Sequence, residues 1–359
     1  MIFQLAANFA ADAVERAMPD AMTARELLKR RRADVLLRLR QRHDDWRIRC
    51  RPGDALALAK TEDAVILGVV RLGLRHGHFG NDLHTYHNED HALELLFGRL
   101  DRVLEAAGPE HFNLHDALAL ELFAAGHDLH QREPGVDASG IGHNELASLA
   151  ETVRIMEACG FDRVQDADQF LAVAMSIAGS TFDAKANDAL PLVDDMLDEL
   201  GDPMSSGGAM APRLREWLSR QAPGQAVDSN MERALSLACI AADLDTGNVG
   251  DPFLLFCESA RRLCQEREMR AGRSLGSVES GKSCIDFLLN GQSHYLFDLH
   301  RFNSVLGERA FSASKEQNGR RLRALSASFE RELVRPDHIG LSGRRVLDIY
   351  ADLAMRCTA

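Results

Sequence analysis

The stretch Thr85 to Leu96 reads TYHNEDHALELL and sets His87 and His91 four residues apart, a separation that brings two side chains onto one face of an α-helix. A second group of ligand-type side chains stands where the apolar run FAAG meets His127 and Asp128. A third is Asp243, which closes the apolar run Ala238 to Ala242. A buried carboxylate is costly unless it is paired or bound to a cation, so together these residues point to a metal held at helix ends. Singly, each has a plainer reading: a core or solvated histidine pair, a cap, an ordinary helix end. The order is the stronger signal: one histidine, His-Asp about 36 residues on, and an aspartate about 115 residues further.

The elements that must position these residues read as helices. ARELLKRRRADVLLRLRQRH, HALELLFGRLDRVLEAAG, HDALALELFAAGHD, NELASLAETVRIMEACG, DADQFLAVAMSIAGS, ALPLVDDMLDELG, NMERALSLACIAADL and DPFLLFCESARRLCQEREMRAG carry apolar residues at three- and four-residue spacing. No stretch shows the alternation of a strand. The expected fold is all-α. Helix stops are marked at Gly108, Gly160 and Gly201, and the most loop-like segments are Gly201 to Pro212 and Gln221 to Asn230.

Bulk properties narrow the function classes. A net charge of −12 disfavours a nucleic-acid partner, since phosphate binding is driven by clustered Lys and Arg. The one basic cluster, Lys29 to Arg32, reads as a solvated helix face. No run approaches a membrane span, and the opening MIFQLAANFAADAVERAM lacks a basic start and meets Asp12 early, so neither membrane nor secretion is expected. Seven cysteines without a C-x-x-C pair fit reduced thiols, and the expected location is the cytoplasm.

With these residues in view, YHNEDHA, Tyr86 to Ala92, resembles the YHNxxHA signature of class I cyclic nucleotide phosphodiesterases, members of the HD-type metal-dependent phosphohydrolases. FAAGHD and the Ala242–Leu244 segment ADL resemble that family's FAAxxHD and ADLS segments; NELA resembles SELA, and SVES with IDF resembles SVEKSQxxFIDY. The resemblance runs from about Phe79 to Phe302. It implies a compact multi-helix catalytic domain over 76–335, preceded by a helical segment, 1–75, and followed by a helical tail, 336–359. The N-terminal helices would cover the core or form a homodimer contact.

Carried over residue by residue, the resemblance implies that His91, His127, Asp128 and Asp243 hold a first divalent metal, zinc or another transition ion, with Asp245 the next candidate after Asp243. Asp128 would bridge to a second ion, magnesium or manganese. His87 would be the general acid and Glu145 would orient the attacking water. Two cations can make a water acidic at neutral pH and offset phosphoryl charge, while a ribose alkoxide leaves poorly without a proton. Tyr86, Thr246, Cys284 and Phe287 fall at positions expected to line the substrate.

The chain departs from the family at several points. The family's third histidine in HDxxHPG is Gln131 here, with His130 displaced by one, so His130 and Gln131 are additional candidates, as is His143, two residues before Glu145. Gly281 stands where the family has its glutamine, Cys284 where it has an aromatic clamp, and Thr246 where some members have an asparagine. The expected activity is hydrolysis of a 3′,5′-cyclic nucleotide to the 5′-monophosphate, and the alternative is hydrolysis of another small phosphoester by the same metal chemistry. A silent helical module that kept the fold as a sensor is the reading from a different class.

Overall fold

The computed structural model describes residues 2–49, 51–108, 113–133, 135, 140–181, 209–221, 227–335 and 340–357. The helix expected over 189–201 and most of the loop expected from Gly201 lie outside them. The protein is all-α, with neither strand nor sheet among the described residues. It divides into two compact units. The first comprises Met1–Thr181 and Ala209–Asp245, and residues 246–359 belong to the second. The first 75 residues therefore share a unit with the helices that carry His91, His127 and Asp245.

The helices of the first unit are α1 (Ile2–Ala6), α2 (Ala13–Ala17), α3 (Ala21–Arg31), α4 (Ala33–Arg49), α5 (Ala55–Arg75), α6 (Glu89–Glu94), α7 (Leu100–Ala107), α8 (Leu114–Gly126), α9 (His143–Ala158), α10 (Ala167–Ser180), α11 (Leu214–Gln221) and α12 (Ser229–Asp245). A π-helical turn, Leu95–Arg99, joins α6 to α7. Helix α5 is the centre: from Ala64 to Gly73 every residue is buried, so this stretch is enclosed on all sides, apolar except for Arg71. It packs on α3, α4, α8 and α9, and α10 packs on α8 and α12.

Two glycines set how closely the site-bearing α8 can approach its neighbours. A Cβ at Gly68 of α5 would lie 2.9 Å from the Ala125 carbonyl oxygen, and one at Gly126 would meet the Thr152 side chain of α9. The end of α8 is thus clamped on two sides, immediately before His127. Near its middle, buried Glu121 accepts from Arg42, Trp46 and the Nε2 side of His43, all on α4. Burial alone would raise its carboxyl; Arg42 and His43 bring it down to about 2 instead.

The basic residues Lys29, Arg30 and Arg31 are exposed on α3, the solvated face expected of them. Among the described residues no helix is long and apolar enough to cross a membrane. The second unit is built from α13 (Phe253–Arg270), α14 (Val278–Asp286), α15 (Gln292–His294), α16 (Val305–Leu333) and α17 (Gly343–Arg356), around a core that includes Phe256, Leu288, Leu322, Phe329 and Tyr350.

Candidate metal centre

Asn88 rather than the histidine pair begins α6. Its Oδ1 accepts from the Asp90 N–H at 2.9 Å, and its Nδ2 donates to the His84 carbonyl at 2.6 Å. His91 therefore lies in the first turn of the helix, while His87 sits in the loop just before it, not on the same helical face. The two rings still come together, with centroids 6.2 Å apart, because the loop folds back across the helix start. Buried Tyr86 packs against both, 4.8 Å from each.

His127 follows α8 directly, and its ring stacks on Phe123 one turn earlier, which aims it away from the helix. His91 and His127 are both buried, and their ring centroids lie 5.5 Å apart. Two carboxylates face them. Asp128 Oδ2 is 3.2 Å from His127 Nε2 and 3.6 Å from His91 Nε2, while Asp245 Oδ1 is 3.1 Å from His91 Nε2 and 3.5 Å from His127 Nε2.

The aspartate that meets the imidazoles is thus Asp245, two positions beyond the expected Asp243. Two residues along a helix turn a side chain through about 200°, to the opposite face. Asp243 is fully buried on that other face, one turn from Cys239, whose thiol burial raises with help from the Asp243 charge. Asp245 is set by a residue that sequence reasoning did not single out. Buried Arg99, in the π-helical turn, donates from Nη1 to the carbonyls of Leu244 at 3.2 Å and Asp245 at 2.8 Å, a cation at the end of α12 where the helix carbonyls are unsatisfied.

The donor set fits a divalent ion. His127 Nε2, His127 Nδ1, His91 Nδ1 and Asp128 Oδ2 are buried without a hydrogen-bond partner. Ligand atoms about 2.0–2.2 Å from one ion lie roughly 3 to 3.6 Å from each other, the range of these four separations. His91, His127 and Asp245 can each place one ligand atom within 4.8 Å of the others. Their charges are already set against one another. Burial, partly offset by Asp245 and Asp128, leaves His91 below its ordinary value, whereas the same two carboxylates overcome burial and raise His127. Burial would raise Asp128, but His127, His87 and His91 bring it to about 2, and Asp245 is likewise held low by His127 and His91 against burial.

Gln131, at the family's third-histidine position, donates from Nε2 to Asp128 Oδ1 at 2.9 Å, which leaves Oδ2 facing the imidazoles. His130 turns elsewhere: its Nε2 lies 2.9 Å from Glu151 Oε2, in a cluster with Glu15 that Arg71, Arg75 and Arg154 surround. Glu145 stands in the first turn of α9, and burial, with the charges of Asp128 and Asp245, pushes its carboxyl up to about 7. His143 opens the same helix beside Phe9, ring centroids 6.0 Å apart.

The residues expected to line the substrate from beyond Asp245 fall in the second unit. Thr246 starts a 3-10 turn and is buried. Cys284 is fully buried in that unit's own core, 3.8 Å from Ser280 Oγ, and Phe287 is buried under the Arg267 guanidinium at 4.5 Å. A Cβ at Gly281 would run into the Leu341 carbonyl oxygen, so no longer side chain fits there. Buried Gln292, in the following turn, accepts from the Tyr350 hydroxyl at 2.6 Å inside the core. No protein-family model matches the chain, and no curated protein matches it.

Proposed function

We propose that the protein is a metal-dependent phosphohydrolase of the HD type, hydrolysing a 3′,5′-cyclic nucleotide to its 5′-monophosphate. The observation that carries this reading is the meeting of buried His91 and His127 with Asp128 and Asp245: each Nε2 lies within 3.6 Å of an oxygen of both carboxylates, and His127 Nε2 has no hydrogen-bond partner. Imidazoles favour zinc or another transition ion, and the Asp128 carboxylate would help hold magnesium or manganese. Divalent ions held there would acidify water and offset the charge of the phosphoryl oxygens.

The chain's own residues divide the remaining work. Gln131 fixes the rotamer of Asp128, and Arg99 fixes the backbone of Asp245. Glu145, raised toward neutrality, orients the attacking water and holds its proton. His87, partly buried and close enough for its charge to act on Asp128, protonates the ribose oxygen as the phosphorus–oxygen bond breaks. The water oxygen joins phosphorus as the ribose oxygen leaves; one water proton passes to Glu145, the other stays on the new phosphate oxygen, and the leaving oxygen takes the proton that His87 carries.

A second reading keeps the same chemistry but changes the substrate to another small phosphoester. It is favoured by Gly281 and Cys284: the first has no room for an amide, and the second lies closed in a core rather than offering a ring to a base. A panel of cyclic nucleotides, nucleotides and simple phosphodiesters, run with metal-depleted and metal-restored protein, tests both. Metal-dependent turnover of cyclic nucleotides supports the first reading, turnover of other esters alone supports the second, and no turnover by metal-loaded protein defeats both.

A further inference from the structure

The segment between α5 and α6 holds ligand-type side chains that the centre above does not use. It reads HGHFGNDLH from His76 to His84, and the His84 N–H donates to the His76 carbonyl at 2.8 Å, closing the loop so that residues eight apart in sequence become neighbours. The closure depends on small residues. A Cβ at Gly77 would strike the Glu89 carboxylate, and one at Gly80 would strike the Leu74 carbonyl oxygen. The imidazoles of His76 and His84 are both buried, with ring centroids 4.3 Å apart.

Asp82 faces this pair. Its Oδ2 lies 3.5 Å from His76 Nδ1 and 3.4 Å from His84 Nε2, and neither nitrogen of the His76 ring has a hydrogen-bond partner. These separations are long for hydrogen bonds. They match the edge of a tetrahedron around an ion, since ligand atoms about 2.0–2.1 Å from zinc stand roughly 3.3 Å apart. One ligand atom from each of His76, Asp82 and His84 falls within 4.8 Å of the others. Arg132 holds the carboxylate from outside, Nη2 to Oδ1 at 2.6 Å and Nε to Oδ2 at 3.1 Å, and so orients it toward the rings.

We propose that His76, Asp82 and His84 form a second metal site, for a divalent transition ion of the zinc class, which clips the end of α5 to the loop that carries Tyr86 and His87. Two imidazoles and one carboxylate are a borderline-soft ligand set that selects zinc, cobalt or nickel over magnesium or calcium. The side chain of Asp82 is 43% exposed, which gives the ion an entry path and leaves a fourth position to water. This site shares no ligand with His91, His127, Asp128 and Asp245. A bound ion would give His76 Nδ1 the partner that it lacks.

The test is zinc alone, read by elemental analysis after exhaustive dialysis of the full-length chain. Asp82→Ala, a change at the most exposed of the three ligands, is expected to lower zinc by one equivalent per chain relative to the parent while the helical circular dichroism is kept. His91→Asn combined with Asp245→Asn, which disables the other centre, is expected to retain one equivalent, lost again when Asp82→Ala is added. Zinc content unchanged by Asp82→Ala in the parent would overturn the proposal. So would a folded double variant without zinc, whereas loss of the other centre alone leaves the Asp82 comparison intact.

Discussion

Arg99 donates its buried guanidinium to the main-chain carbonyl of Asp245 at 2.8 Å, across 146 residues of sequence. That bond holds the last residue of α12 so that its carboxylate, rather than that of Asp243, reaches His91 and His127. Replacing Arg99 by Met removes both carbonyl contacts inside a buried site, a loss on the order of 1–3 kcal/mol. We expect a lower urea midpoint and weaker retention of metal in the same variant, checked by denaturation and elemental analysis. Unchanged metal affinity would show that Asp245 is positioned by other contacts.

The two aspartates of α12 separate cleanly by substitution. Asp245→Asn should strip the tighter metal and abolish phosphoester turnover, because it removes a ligand charge while keeping the shape. Asp243→Asn should leave metal content intact and act through stability, since Asp243 is buried on the other face. Metal lost from the Asp243 variant and kept by the Asp245 variant would reverse the assignment.

His87→Asn should lower turnover by roughly 10²- to 10⁴-fold with metal content unchanged, the usual cost of losing a general acid. An ester with a nitrophenolate leaving group needs little protonation, so the defect on it should be far smaller. Equal defects on both substrates would remove His87 from the proton transfer.

Gly126→Ala places a methyl against Thr152, whose hydroxyl donates to the Gly126 and Ser148 carbonyls. Overpacking of this kind costs about 1–3 kcal/mol. Gly98→Ala is the control, as nothing lies within 4 Å of its Cβ position, and it should be neutral or slightly stabilising. Thermal melts of the two variants decide between a tight α8–α9 contact and a tolerant one.

Stability of the second unit should fall with acid through His300. Burial and the neighbouring Lys315 hold its imidazole down to about 3, from an ordinary value of 6.5. Lys315 Nζ lies 3.1 Å from Nδ1. The folded protein thus refuses a proton that the unfolded chain accepts; the stability is fully present above pH 6.5 and is lost as pH falls toward 3. The urea midpoint of His300→Gln should drop less between pH 7 and pH 4 than that of the parent. Identical slopes would mean that His300 does not titrate differently in the two states.

Helices were legible in the chain because their signals are local, apolar residues at three- and four-residue spacing; the Asn88 cap that sets His87 outside α6 was not read from them. His91 and the adjacent pair His127 and Asp128 could be picked out for the same reason, each lying at the edge of an apolar helical run. What tertiary structure alone decided was direction. Helix phase and Arg99 chose Asp245 over Asp243, and the charged cluster of Glu15 and Glu151 drew His130 aside while Gln131 took up Asp128. The motif letters likewise could not tell that Cys284 and Gln292 would be enclosed in the core of a second unit, because their neighbours Cys264 and Tyr350 lie 20 and 58 residues away. His76, Asp82 and His84 carry no signal in helical periodicity, since a loop closed by one backbone hydrogen bond and two glycines brings them together. Such contacts depend on where the chain returns, which residue spacing within one element does not encode.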